Sequence, residues 1–272
     1  MNAFMNVEKG NLLFYKAPFF ETTGLVTHGF TTRPGGVSEG PYSALNTAFH
    51  VGDAIENVRT NRALACEALG IDPEGIVAGS QVHGDRVEVV EYRDKGRGAR
   101  TLEDCLPDVD ALVTAVPGVP LSSYYADCVP IFLLDPARKV VALAHAGWKG
   151  TVVKIGRKTV QRMTAGFGTN PGDCLAWIGP SIGSCCYEVD GRVIRLFQKS
   201  FAYWAMLTVA ASPGKWRLNL WEANRRVLLD AGLLEKNIAV AGACTSCGGD
   251  LFFSYRAQGG ITGRMASLIM LK

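Results

Sequence analysis

The sequence predicts a single domain of mixed α+β class, and three observations carry that expectation. Apolar runs of strand length recur throughout the 272 residues, and segments with helical apolar spacing are interleaved with them. Neither a repeat period nor a linker-like stretch interrupts the series. With 48% hydrophobic and 19% charged residues, the chain can bury a sizeable core.

The first strand is expected over 25–32, where Val26, Thr27, Phe30 and Thr31 supply β-branched and aromatic side chains. It ends in the turn Arg33-Pro34-Gly35-Gly36. A loop from Val37 to Asp53 follows, carrying Ser43, Asn46 and His50, and loops of that length are uncommon in compact domains unless they are functional. Residues 54–69 read as a helix, because Ile55, Val58, Leu64, Ala65 and Leu69 recur at roughly helical intervals and Gly70 is a stop signal. Strands are expected near 76–82, 86–92, 109–114, 121–125, 129–134 and 139–145. A helix should run from Thr151 to about Thr164, a strand over 176–180, and two further helices over 190–205 and 219–231.

Charge excludes some function classes. Lys and Arg number 28 against 25 Asp and Glu, a net charge of +3, with no run long enough to form a nucleic-acid footprint. The basic stretch Arg93–Arg100 reads as a solvated loop. The opening residues lack the basic start and apolar core of a signal peptide, and no apolar run reaches the ~18 residues of a membrane span, so a cytoplasmic protein is expected. In that compartment the eight cysteines should be mostly thiols. Cys244-Thr245-Ser246-Cys247 is a single CxxC, half of a zinc ribbon or a redox motif; with no second pair evident in the sequence, it reads as structural.

The most informative residues are His83 in Gln81-Val82-His83-Gly84, Cys128 in Ala126-Asp127-Cys128-Val129-Pro130, and His145 in Ala144-His145-Ala146-Gly147-Trp148-Lys149-Gly150. Two imidazoles and a thiolate suit zinc, and three protein ligands leave one position for water or substrate. The separations of 45 and 17 residues mean that only the folded chain could assemble such a site. His145 would emerge at the end of the apolar run Val140–Ala144, and strand ends are where open sheets place functional side chains. Taken singly, each histidine also reads as a satisfied structural residue and Cys128 as a small buried hydrophobe.

Taken together, the motifs resemble those of the laccase-domain family. They are Thr31-Thr32-Arg33-Pro34-Gly35-Gly36-Val37-Ser38, Asn46 with Val51-Gly52-Asp53, Asn61-Arg62, the three histidine and cysteine motifs above, Gly179-Pro180-Ser181-Ile182-Gly183, and Phe252-Phe253-Ser254-Tyr255-Arg256. The resemblance runs from about residue 20 to the C-terminus. It implies α/β/β/α layers of stacked mixed sheets flanked by helices, and zinc, in preference to copper, on His83, Cys128 and His145. It also implies phosphorolysis of adenosine, inosine, guanosine and methylthioadenosine, together with deamination of adenosine. Purine nucleosides and inorganic phosphate would be the partners, without nucleic acid or membrane. One departure is visible: Asn219 stands where an Asp is expected.

Deamination needs a carboxylate to move protons, and Asp127 beside Cys128 is the candidate, with a turn carboxylate as its ordinary reading. Phosphorolysis needs a cation for phosphate. Arg33 on its Pro-Gly-Gly turn is the first choice, since a guanidinium grips phosphate with two donors; Arg62 and Arg256 are weaker candidates, each also reading as a surface or structural ion-pair residue. Asn46 would hydrogen-bond a ribose hydroxyl or the purine edge, unless it only holds its own loop. Three rivals stay open. A multicopper oxidase needs many imidazoles, and this chain has four. A thiol hydrolase, including a peptidoglycan-precursor editing enzyme, would use Cys128 as nucleophile and His145 as base, leaving His83 unnecessary. A zinc-stabilised binding protein would close the fourth position, for instance with Cys185 or Cys186.

Overall fold

Alternation along the strands fixes the architecture. In the strand Val140–Ala146, residues 140, 142, 144 and 146 pack with helices, whereas Val141 and Leu143 pack against a second sheet. The computed structural model describes residues 3–272.

One six-stranded sheet contains β1 (Met5–Lys9), β2 (Leu12–Lys16), β3 (Val26–Thr31), β4 (Val77–Ala78), β7 (Leu121–Tyr125) and β15 (Met265–Leu271), in the order β1-β2-β3-β15-β7-β4. The other contains β5 (Val87–Val89), β6 (Ala111–Thr114), β8 (Val129–Asp135), β9 (Val140–Ala146), β10 (Leu175–Ile178) and β14 (Ile238–Val240), in the order β14-β10-β8-β9-β6-β5. A small third sheet holds β11 (Glu188–Asp190), β12 (Thr208–Ser212) and β13 (Lys215–Leu218). Both large sheets are mixed, pairing parallel at β4–β7, β5–β6 and β10–β14 and antiparallel elsewhere.

The layers follow from three apolar clusters. Phe30, Leu121 and Ile269 of the first large sheet meet Phe132, Leu143 and Trp177 of the second, forming the core between the sheets. The outer face of the second sheet is covered by α3 (Trp148–Val152), α4 (Ile155–Phe167), α5 (Gly191–Ser200) and α6 (Leu220–Asp230), through residues such as Val160, Phe197 and Val227. The outer face of the first is covered by α2 (Ile55–Leu69), whose Ala65 and Cys66 pack on Phe14 and Leu268. The one-turn α1 (Pro18–Glu21) completes the helices. These are the α/β/β/α layers that the resemblance implies.

Several expected elements end elsewhere, for local reasons. The strand expected over 76–82 is a strand only at Val77–Ala78, with a single bridge from Gly79 to Leu106, because the chain then leaves the sheet and reaches His83 with a left-handed φ of 62°. The helix expected over 151–164 is two helices, α3 and α4, joined where Lys154 takes φ 60°. The helix expected over 190–205 stops at Ser200, and a separate 3-10 turn covers Trp204–Leu207. Asn219 is the N-cap of α6, its side chain accepting the Glu222 N–H at 3.0 Å, a task Asn and Asp perform about equally well.

Candidate metal centre

Two chain crossovers and one strand end bring the three ligand residues together. His83 lies where the chain passes from β4 in the first sheet to β5 in the second, and Cys128 where it passes from β7 to β8. His145 is the penultimate residue of β9, paired with Pro130 of β8, and shares the inward face of Val141 and Leu143. Separations of 45 and 17 residues therefore close at one end of the sheet sandwich.

The geometry fits a metal. The ligating atoms of His83, Cys128 and His145 lie within 4.8 Å of one another, and Cys128 Sγ stands 3.7 Å from His83 Nε2. A tetrahedral zinc with ordinary Zn–S and Zn–N bonds puts such a pair about 3.6 Å apart. Gly147 makes the approach possible, because a Cβ there would stand 2.8 Å from Cys128 Sγ and 3.0 Å from the His83 ring. His83 is exposed, Cys128 half-buried and His145 buried, so the set opens to one side.

Asp110, which the sequence reading missed, organises the centre. Its carboxylate accepts the backbone N–H groups of Val82, His83 and Gly84 at 3.2, 3.0 and 2.7 Å, which holds the His83 turn. The same carboxylate lies 2.8 Å from His145 Nδ1, directing the other ring nitrogen toward Cys128. Although burial works against its charge, the His145 contact and the amides hold the Asp110 carboxyl below its ordinary value. Loss of water opposes the Cys128 thiolate too, but the facing His145 and His83 imidazoles outweigh it and bring the thiol down to about 6. Burial likewise opposes charge on His145, yet Cys128 and Asp110 raise it to about 9. Each partner thus favours the charged form of the other. The only sequence signal for Asp110 was its place as a carboxylate within the mostly apolar strand expected over 109–114.

A cavity of about 470 Å³ opens on the three ligands. Its walls carry the aromatic rings of Tyr124, Trp148, Tyr187 and Tyr255, the cations Lys149, Arg256 and Arg264, and the polar groups of His50 and Gln81. Asp127 also lines it, with φ 86°, its oxygens accepting the Thr245 hydroxyl and the Arg256 N–H, each at 2.7 Å.

Of the four candidate substrate contacts, Arg256 alone lines this cavity; its guanidinium donates to the Glu188 carbonyl and lies over the Tyr187 ring. The Arg33 guanidinium donates to the carbonyls of Ser43 and Gly249 and so ties its turn to two other loops. Arg62 is buried between the rings of Phe49 and Tyr124 and donates to the carbonyls of Thr47, Gly98 and Ala99. Asn46, fully buried, holds Ala48 and Asp53 and accepts the Arg264 N–H at 2.9 Å. All three hold the long loop on which His50 reaches the cavity, so their contact with it is indirect.

Two further expectations meet geometry here. Cys185 and Cys186 group with Cys244 and Cys247, apart from the His83 set. His28 is buried beside Phe20, Phe132 and Trp177, its Nε2 accepting the Ala17 N–H, which leaves His50 as the one further imidazole at the cavity. Among the described residues no helix is long and apolar enough to cross a membrane.

Comparison with known proteins agrees with the fold and the motifs. The model of the family described as multi-copper polyphenol oxidoreductase laccase matches residues 27–272, and the chain belongs to that family. It is 41% identical over 247 residues to the purine nucleoside phosphorylase YlmD of Bacillus subtilis, covering 91% of this chain and 89% of that one. It is 36% identical over 237 residues to adenosine deaminase RL5 from an unknown prokaryotic organism, covering 86% and 90%. The crystal structure of Bacillus licheniformis YfiH superposes with a TM-score of 0.94 at 39% identity over the whole of both chains. These relatives support an enzyme that processes nucleosides.

Proposed function

We propose that this chain is a zinc-dependent purine nucleoside phosphorylase, acting on adenosine, inosine, guanosine and methylthioadenosine, that also deaminates adenosine at the same centre. The observation that carries the reading is the cavity itself, where a two-imidazole, one-thiolate ligand set stands among aromatic rings and cations in a volume suited to a small ligand. A bound zinc would supply positive charge at the reacting centre and lower the pKa of a coordinated water. His83, Cys128 and His145 would hold it, oriented by Asp110.

The remaining work falls to the walls. Tyr124, Trp148, Tyr187 and Tyr255 offer apolar ring surface for a purine. Lys149, Arg256 and Arg264 are the cations placed to hold phosphate, which attacks the ribose C1′ as the bond to the base nitrogen breaks. Arg33, Arg62 and Asn46 support this indirectly by fixing the loops. For deamination, Asp127 is the carboxylate on the cavity wall; with two accepted hydrogen bonds it retains lone pairs to take and return protons.

The thiol-hydrolase reading has one observation in its favour, Cys128 Sγ within 4.8 Å of a His145 ring whose Nδ1 is held by Asp110. The two readings separate at His83. Incubation of purified protein with inosine or adenosine, with and without phosphate, should yield free base only with phosphate, and inosine from adenosine in either case. His83→Ala should abolish both reactions. Activity surviving in His83→Ala would support the hydrolase and overturn the zinc centre.

A further inference from the structure

Four cysteines from two distant segments meet at the edge of the same cavity. Cys185 and Cys186 lie in the turn before β11, and Cys244 and Cys247 on the crossover from β14 to β15. Their four sulfurs lie within 4.8 Å of one another, with Cys247 Sγ 3.3 Å from Cys186 Sγ and 3.5 Å from Cys185 Sγ. Four thiolates around one tetrahedral zinc stand about 3.8 Å apart, whereas a disulfide brings two sulfurs to about 2.05 Å. The observed spacing is that of a cage. The CxxC, which from sequence reads as structural, as half of a zinc ribbon or as a redox motif, meets a second cysteine pair in the adjacent residues 185–186.

We propose that Cys185, Cys186, Cys244 and Cys247 form a second, structural zinc site, separate from the His83, Cys128 and His145 set. The supporting framework is built by the backbone. Ser181 N donates to the Ala243 carbonyl and Thr245 N to the Ser181 carbonyl, both at 3.1 Å, which locks the two segments side by side. The Gly183 N–H donates to Cys244 Sγ at 3.2 Å, the kind of contact that stabilises a thiolate. On binding, the four thiols release their protons and the zinc tetrathiolate carries a net charge of two minus. The Arg217 guanidinium, donating to the Cys185 carbonyl, partly offsets it. A four-thiolate site has no open position, so its task is to brace. What it braces is the cavity rim, because Thr245, inside the CxxC, holds Asp127 next to Cys128.

Metal analysis and zinc K-edge absorption test this on the full-length protein purified under reducing conditions. Wild type should carry about two zinc per chain, and Cys128→Ala and Cys247→Ser about one each. The zinc left in Cys128→Ala should show sulfur neighbours alone at about 2.3 Å. That spectrum stands even if Cys247→Ser fails to fold. A Cys128→Ala protein without zinc, or with nitrogen neighbours at its zinc, would overturn the proposal, as would a disulfide among these cysteines in the reduced protein. Failure of the catalytic centre reads differently: Cys128→Ala would then keep all the zinc of the wild type.

Discussion

Gly147 and Asp110 illustrate how single residues decide the metal centre. A methyl group at 147 would press on Cys128 and His83 at once, so Gly147→Ala should lower zinc retention through dialysis, and with it activity, by about 10–100-fold. Asp110→Asn presents an NH₂ group to N–H donors on one side of the former carboxylate and weakens the hold on His145. Zinc affinity measured by chelator competition should fall by about 10–100-fold; an unchanged affinity would show that the imidazole needs no such partner. His28 sets a pH dependence of stability. Burial holds its pKa below the ordinary 6.5, so the unfolded chain takes up a proton more readily. Its contribution is complete above pH 6.5 and is lost as pH falls from there through the lower folded value. Thermal unfolding midpoints should drop below pH 6.5 more steeply in wild type than in His28→Gln.

At the scale of elements, strands buried on both faces were easy to read and irregular ones were not. β7 matches its expected bounds, and β8 and β9, whose near-continuous apolar runs mark strands buried on both faces, differ by a residue at their ends. The hairpin β12–β13 went unread, since Thr208–Ser212 is mostly exposed and carries no apolar alternation. β15 went unread as well, though its apolar composition offered a signal. The three candidate ligands were legible because the chain has only four His and because all three stand in Gly- and Pro-rich stretches. Asp110, Lys149 and Arg264 were not, since a carboxylate or cation in a soluble chain is ordinary until the fold turns it inward. Arg62 shows the converse: named from sequence as a second-choice cation for phosphate or a structural residue, it is enclosed in α2's packing. Arg62→Met should cost about 2–4 kcal/mol of stability, because three buried carbonyls lose their donor and two rings lose the guanidinium. Its KM for phosphate should change little, whereas Arg256→Met should raise that constant with little change in the unfolding midpoint.

Across the whole molecule, the sandwich supplies rigidity and the crossovers supply chemistry. Segments 79–86, 126–128 and 241–264 each pass between the two large sheets, and they carry His83, Cys128, Arg256, Cys244 and Cys247. Packed layers on both sides hold these segments to one geometry, which is what a centre assembled from distant residues requires. The most direct test is phosphate-dependent release of hypoxanthine from inosine by the wild type, by protein stripped with a chelator, and by stripped protein given back zinc. Activity should vanish on stripping and return with zinc, and Cys128→Ala should stay inactive throughout. Undiminished phosphorolysis by zinc-free protein, or by Cys128→Ala, would contradict a metal centre at His83, Cys128 and His145.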